Sequence, residues 1–248
     1  MLADEIDAVD WLAIPTPRLH VPRVGRDVPE WFDLRSPAPG LRDLATATDI
    51  PAVAAAATYL TSSSILWGHM GAVFPAAVTA APFLLRITER DYANARDAAL
   101  SLLSDMLHSA PFDGFNRVGV ADGSTPALCC AVAELIRARQ DLLLALGKPG
   151  RRLLEECSAH WRFEITEVAR DGEDQLVLGH LGGRIPESGM AGELQSEGMI
   201  VRLGMVAPEY PLDGVSGEAC LRIEGAGYEH PCLPGAVMFP AECGEFVH

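Results

Sequence analysis

The sequence predicts an α+β protein whose helices and strands are segregated along the chain, with an antiparallel helical array at residues 1–160 and a small antiparallel β-barrel at residues 161–248. Apolar residues recur at three- and four-residue spacing in the first part, as in amphipathic helices. From Trp161 onward they alternate with polar residues, which is typical of strands. Clusters of Gly, Pro and Asp separate the alternating runs and indicate tight turns.

The chain opens with a short amphipathic helix at residues 2–11, followed by a proline-rich passage at residues 14–40. The prolines of this passage exclude a continuous helix and favour extended or turn conformations. Because Trp31 and Phe32 lie within it, we expect the passage to pack along the surface of the helices rather than to act as a linker.

Further helices are expected at residues 41–47, 51–63, 76–88, 91–109, 127–146 and 151–160. Asp49 supplies an N-cap, and Pro51 lies in the first turn of the helix that follows. Pro82 should kink or split its helix. The motif GKPG at residues 147–150 is a strong stop signal for a helix.

Alternation predicts strands at residues 161–166, 175–181, 199–206, 218–223 and 236–239. Turn residues lie between these strands, including the run DGED at residues 171–174 and the glycine pair at 182–183. Short strands joined by such turns favour a small barrel or a sandwich.

The chain is acidic, with a net charge of −15, and the charge is uneven. Residues 1–160 hold 14 Lys and Arg against 19 Asp and Glu, a net of −5, whereas residues 161–248 hold 5 against 15, a net of −10. Nucleic-acid affinity comes largely from basic residues that release counterions from phosphates, so we expect no nucleic-acid partner. A basic protein fits the charge better; the alternative is that the acidity serves solubility alone.

Composition also bears on location. Hydrophobic residues make up 49% of the chain and the mean hydropathy is +0.15, which is enough for a sizeable core. No apolar run reaches the roughly 18 residues of a membrane span, and the acidic N-terminus lacks the features of a signal peptide. Six cysteines, two of them adjacent, indicate reduced thiols rather than a disulfide framework. We therefore expect a cytoplasmic protein with no membrane partner.

The most distinctive segment of the sequence is LWGHMGAVFP at residues 66–75, which is followed directly by a predicted apolar helix. Together with Asp10-Trp11 and with APFL at residues 81–84, it resembles the bacterial HEAT-repeat-like proteins, in which paired antiparallel helices stack into a curved array. The resemblance covers about residues 5–110, without a clean repeat period. It implies a helical array whose concave face binds another protein.

The second part is similar to the β-barrel that forms the second domain of Tu-type elongation factors. The matching segments are FEITEV at 163–168, LVLGHL at 176–181 and GGRIPESG at 182–189, with closing strands at 219–223 and 233–237. The sequence contains no P-loop of the form GxxxxGK[ST], so GTP hydrolysis is not implied. Neither resemblance implies catalytic residues or a cofactor.

The break around Trp67 and His69 is the best candidate for a binding site, and we add Phe74 and Trp31 to the candidate binding residues. A His among glycines and aromatic residues at a helix junction suits recognition or proton donation, because its pKa is easily moved near neutrality. The alternative is that Trp67 and Phe74 fill the core between helix pairs while His69 hydrogen-bonds a helix end.

Cys157 and His160 lie three residues apart on a predicted helix, which is close enough for a nucleophilic pair. A buried structural cysteine is the simpler interpretation. The adjacent pair Cys129-Cys130 lies within a predicted helix and is interpreted as core packing.

Four nitrogen or sulfur ligands lie near the C-terminus, at His230, Cys232, Cys243 and His248. Zinc sites usually show tighter spacings such as C-x₂-C, so we predict no metal. His230, Cys232 and Cys243 are the residues that would bind one if a site exists here.

The sequence lacks a complete catalytic constellation, while a helical array and an acidic surface are both predicted. We therefore expect a non-enzymatic binding or scaffold protein that engages another protein, such as a basic partner or a toxin that it neutralises. The alternative is an enzyme that acts on a small molecule in a cleft between the two parts, because ligand sites favour domain junctions.

Overall fold

The computed structural model describes residues 1–21, 30–196, 198–212, 216–225 and 232–245. It confirms the predicted fold class, since helices dominate the N-terminal half and a closed antiparallel six-stranded barrel follows. The chain forms two compact units. The helical unit comprises residues 1–116 and 139–153, and the barrel unit comprises residues 117–138 and 154–245.

The helices of the described part are α1 (Leu2–Asp7), α2 (Ala38–Thr46), α3 (Ile50–Leu60), α4 (Ala76–Ile87), α5 (Ala93–His108), α6 (Leu128–Arg137), α7 (Gln140–Ala145) and α8 (Lys148–Ser158). The strands are β1 (Arg18–Val21), β2 (Glu30–Asp33), β3 (Leu66–Trp67), β4 (Ala72–Val73), β5 (Ala110–Pro111), β6 (Arg162–Asp171), β7 (Asp174–Gly182), β8 (Met190–Ser196), β9 (Met199–Pro208), β10 (Ser216–Ile223) and β11 (Val237–Pro240). A 3-10 helix follows β11 at Ala241–Gly244.

Helix α3 shows how local sequence starts an element. The Asp49 carboxylate accepts a hydrogen bond of 2.8 Å from the Ala52 backbone N–H, as expected of an N-cap. Gly40 of α2 lets the two helices approach closely, because a Cβ there would lie 2.8 Å from the Tyr59 ring. The small residue therefore positions α2 against α3.

Two helix predictions need correction. Helix α4 runs unbroken from Ala76 to Ile87 through Pro82, so the proline does not split it. Pro82 is exposed while most of its neighbours are buried, and packing of the buried face holds the helix together. The single helix predicted over residues 127–146 is two helices, because α6 ends at Arg137 and α7 begins at Gln140, where the chain passes between units.

The helical unit also contains short strands that the sequence did not predict. β1 pairs antiparallel with β2 within the proline-rich passage. β3 and β4 pair antiparallel within the LWGHMGAVFP stretch, and β5 pairs parallel with β4. Gly71 takes a left-handed φ of 60° between β3 and β4, a conformation that glycine adopts without a Cβ penalty. The predicted helix break is therefore a small sheet.

The barrel has the strand order β10-β7-β6-β11-β8-β9 and closes between β9 and β10. The core side chains alternate along the strands, as β-strand geometry requires, and include Trp161, Phe163, Ile165, Val177, Leu181, Leu194, Leu203, Val206, Leu221, Ile223 and Met238. Gly179 of β7 lies against β6, where an added Cβ would sit 2.0 Å from the Glu164 carbonyl oxygen. That position accepts no side chain.

Strand β8 is the barrel strand that the sequence did not predict. Its residues Glu193 and Gln195 are buried, so the strand lacks the alternation of apolar and polar residues. Arg117 pairs with the Glu193 carboxylate, with 2.7 Å between Nη1 and Oε1. Gln195 exchanges two hydrogen bonds with the Thr125 backbone, at 2.7 and 3.1 Å. The segment before α6 thus covers this strand through polar contacts.

Candidate functional site

Four side chains of the barrel unit converge on one point: Cys129, Cys130, His160 and Cys243. Their three sulfur atoms and one ring nitrogen all lie within 4.8 Å of one another. His160 Nδ1 lies 3.3 Å from Cys243 Sγ. We call these four residues the thiol–imidazole cluster.

Three separate elements supply the cluster. Cys129 and Cys130 lie in the first turn of α6, which begins at Leu128. His160 lies in the turn between α8 and β6, and Cys243 lies in the 3-10 helix after β11. These elements are distant in sequence and meet only when the barrel closes beside α6.

Arg137 holds the turn that carries His160. Its guanidinium donates hydrogen bonds of 2.9 Å to the backbone carbonyl oxygens of Cys157 and His160. It also pairs with Glu134, one turn earlier on α6. The last turn of α6 therefore fixes the turn that presents the imidazole, while the first turn of the same helix presents the two thiols.

The cluster is apolar on its inner side and reaches the surface on the other. Cys129 and Cys130 are 5% and 0% exposed and pack with Ala127, Val237 and Phe239. His160 and Cys243 are partly exposed. Water is thus excluded from the sulfur atoms of Cys129 and Cys130, while His160 and Cys243 lie at the edge of the cluster.

Hydrogen bonds among the three thiols shift their pKa values in opposite directions. Bonds from Cys130 and then Cys243 lower the pKa of Cys129 well below its usual value. The same contacts with Cys129 raise the pKa of Cys130 and of Cys243. Cys129 also lies at the N-terminal end of α6, where the helix dipole favours an anion.

Cys157 and His160, which the sequence allows as a nucleophilic pair, direct their side chains to different partners. Cys157 Sγ donates to the Leu154 carbonyl oxygen at 3.3 Å, and burial raises the pKa of this thiol. His160 directs Nδ1 to Cys243. Cys157 therefore has the surroundings of a buried structural cysteine.

Of the C-terminal candidates for a metal site, the two that the structure describes, Cys232 and Cys243, lie in different apolar groups. Cys232 belongs to the barrel core, where burial raises its pKa to about 11 and its backbone N–H donates to Gln175 at 2.9 Å. Cys243 packs with the other apolar group, beside α6. His230 and His248 lie outside the described residues. Of that set, the structure brings Cys243 alone, among its described members, into a group of ligand atoms.

The candidate binding residues of the helical unit have different surroundings. Phe74 is fully buried, with its ring centroid 6.1 Å from that of Phe112. Trp67 is partly buried against the same apolar group, and His69 is exposed, with its ring centroid 6.3 Å from that of Trp67. Trp31 lies in β2, but its side chain is outside the described part of the structure. Trp67 and His69 are therefore the members of this set with described surface.

The barrel unit also has a surface groove of about 400 Å³ beside the turn between β8 and β9. Three large apolar side chains that line it are exposed: Met199 at 63%, Ile200 at 45% and Leu233 at 46%. Backbone and side chains of Ser124, Thr125 and Gln195 form its polar part. We call this feature the β8–β9 groove.

Comparison with known proteins gives no relative, since no protein-family model, curated protein or solved structure matches the chain. The coarse description of helices followed by a closed barrel stands on the structure alone. In the part of the chain that the structure describes, helices with the length and apolarity for a bilayer crossing are absent.

The sequence does not predict the cluster, because its members share no local spacing. It predicts core packing for Cys129-Cys130, and both residues are indeed buried. The available signal was that each cysteine and the His lie at the end of an element, where side chains from different segments meet. That signal does not tell which ends meet.

Proposed function

We propose that the chain is a non-enzymatic binding protein whose barrel unit engages a basic protein segment carrying apolar side chains. The observation that carries this proposal is the β8–β9 groove, where Met199, Ile200 and Leu233 are exposed together on a strongly acidic unit. A basic toxin is one partner of this kind.

The apolar part of the proposal rests on the grouping of these side chains. Single exposed apolar residues are common on protein surfaces, whereas grouped ones rimmed by polar atoms mark interaction sites. Met199, Ile200 and Leu233 all line this groove. A partner that inserts an apolar side chain here would cover apolar surface that is otherwise exposed to water.

The charge of the barrel unit gives the expected sign of the partner. Residues 117–138 and 154–245 hold 7 Lys and Arg against 19 Asp and Glu, a net of −12 out of −15 for the whole chain. Such a field attracts basic segments and repels acidic ones. It acts over about 8 Å at physiological ionic strength, so the attraction should weaken as salt is added.

The test uses labelled synthetic peptides of defined composition with the full chain. A Lys/Leu peptide should bind more tightly than a Lys/Ser peptide of equal charge, and a Glu/Leu peptide should not bind. Ile200→Ser should weaken binding of the Lys/Leu peptide roughly tenfold, the loss expected for about 1.4 kcal/mol, and it leaves the charge of the unit unchanged. Met70→Ser is the matched control, because Met70 is 57% exposed in the helical unit.

Fluorescence anisotropy at two salt concentrations measures these affinities. Equal binding of the Lys/Leu and Lys/Ser peptides, together with no effect of Ile200→Ser, would refute the groove as the binding site. Absence of binding by both basic peptides would refute the proposal as a whole.

A further inference from the structure

We propose that the thiol–imidazole cluster of Cys129, Cys130, His160 and Cys243 binds one zinc ion. This inference goes beyond the proposed binding function and does not depend on it. It rests on the number, the type and the positions of the four ligand atoms.

The distances fit a single tetrahedral ion. Zinc binds cysteine sulfur at about 2.3 Å and histidine nitrogen at about 2.0 Å, so its ligand atoms lie roughly 3.5–3.8 Å apart in a tetrahedron. The four atoms here lie within 4.8 Å of one another, and the pair His160 Nδ1 and Cys243 Sγ is at 3.3 Å. No separation therefore exceeds the tetrahedral spacing by more than about 1 Å.

The chemistry of the ligands selects the metal. Three thiolates and one imidazole favour zinc and other thiophilic ions, whereas calcium and magnesium require oxygen ligands. A Cys₃His set with four protein ligands is typical of structural zinc sites, which leave no open position for a substrate.

A disulfide bond would account for fewer of the four residues than a metal ion does. Consecutive Cα atoms lie about 3.8 Å apart across a trans peptide, which is shorter than the roughly 4.4 Å minimum usual for a disulfide. A bond between Cys129 and Cys130 is therefore disfavoured. A bond from Cys243 to one of them leaves the third thiol and His160 without a role, whereas a metal uses all four residues.

The position of the ion gives it a structural role. It would join the first turn of α6, the turn before β6 and the 3-10 helix after β11. Gly244 of the 3-10 helix lies beside the Arg117 guanidinium, which an added Cβ would contact. Zinc would thus link the segment that covers β8, and the C-terminal end of the barrel, to the turn before strand β6.

The experiment uses the full chain, purified under reducing conditions without a polyhistidine tag. Elemental analysis should find one zinc per chain after addition of zinc and removal of the excess. Cobalt(II), used as a spectroscopic probe, should give intense d–d bands of tetrahedral coordination together with thiolate-to-cobalt charge transfer. Zinc should displace cobalt and abolish both signals.

Variants then test the ligand assignment. Cys243→Ser should lower zinc affinity by more than the roughly 10–100-fold that loss of an outer partner costs. Cys220→Ser is the matched control, because Cys220 is also partly exposed but lies on β10 outside the cluster. Circular dichroism checks that both variants fold.

A second measurement needs no variant. In the wild-type chain, zinc should protect Cys243 from alkylation while Cys220 reacts equally with and without the metal, as mapped by mass spectrometry. The proposal is overturned if the wild-type chain shows no tetrahedral cobalt spectrum. It is also overturned if Cys220→Ser impairs zinc binding as much as Cys243→Ser, or if zinc leaves the alkylation of Cys243 unchanged.

Discussion

His160 Nδ1 lies 3.3 Å from Cys243 Sγ, although 83 residues separate the two in sequence. The contact joins the turn before the first barrel strand to the 3-10 helix after the last one. It depends on the antiparallel pairing of β6 with β11, which makes the first and last barrel strands neighbours. Stability of the barrel unit and occupancy of the cluster should therefore be linked.

The first prediction follows from this linkage. Zinc that binds only the folded barrel unit should stabilise it by about 2.7 kcal/mol at a free concentration 100 times the Kd. Differential scanning calorimetry with zinc and with a chelator measures the difference in melting temperature. Cys220→Ser should keep the full shift, and a chelator that leaves the melting temperature of the wild-type chain unchanged would contradict the prediction.

The second prediction concerns Arg137, which holds the turn of His160. Arg137→Gln removes two hydrogen bonds from a charged donor to backbone oxygens, so the free energy of unfolding should fall by about 2–3 kcal/mol. Arg139→Gln is the control, because Arg139 is 52% exposed and pairs with Glu89 at 4.0 Å. Urea denaturation should show a change below about 0.5 kcal/mol for the control. Equal losses in the two variants would argue against a holding role for Arg137.

The third prediction concerns the ion pair between Arg117 and Glu193, whose side chains are 22% and 10% exposed. Arg117→Met leaves a largely buried carboxylate without its cation, which should cost about 3 kcal/mol of unfolding free energy. The double variant with Glu193→Leu should recover most of this loss. Arg202→Met breaks an exposed pair with Glu245 and should cost less than about 1 kcal/mol. A double variant no more stable than the single one would show that the buried charge is not the cause.

The fourth prediction tests the close approach at Gly179. Gly179→Ala places a Cβ 2.0 Å from the Glu164 carbonyl oxygen, so β6 and β7 must separate. Overpacking of this kind lowers the free energy of unfolding by about 1–3 kcal/mol. We expect the upper end of this range, because a backbone carbonyl group cannot rotate away from the added Cβ as a side chain could. Gly119→Ala is the control, since nothing lies within 4 Å of its added Cβ. Similar unfolding free energies for the two variants would rule out the expected clash.

The fifth prediction concerns acid. Arg222 bonds to Glu209 and Asp174, at 2.8 and 2.9 Å. A bond from the Gly225 backbone and then one from Arg222 lower the pKa of Asp174, and the bond from Arg222 lowers that of Glu209. The stability that these two ionised carboxylates contribute is fully present above their ordinary pKa values of 3.8 and 4.5. This stability is lost as the pH falls through the lowered pKa values, because in that range the unfolded chain binds more protons than the folded chain.

Acid titration followed by circular dichroism measures this loss. Arg222→Met should reduce the dependence of stability on pH below the ordinary pKa values, while leaving its dependence near neutrality unchanged. An identical acid transition in the wild-type chain and the variant would show that Arg222 does not set the two pKa values.

Some elements could be predicted from the sequence because their signals are local. The Asp49 cap is confirmed at 2.8 Å, and the alternation after Trp161 predicted five of the barrel strands in their places. Strand β8 is not predicted from the sequence, because its polar residues Glu193 and Gln195 occupy buried positions. Their burial is compensated by Arg117 and Thr125 from a distant segment, and no local pattern reports such partners.

The sequence by itself determined that helices precede strands, because periodicities of about 3.6 and of 2 are properties of neighbouring residues. The tertiary structure alone decided that Cys129, Cys130, His160 and Cys243 form one cluster. Their proximity depends on strand order and on closure of the barrel. Both are set by contacts between segments far apart in the chain, which the spacing of residues along the sequence does not record.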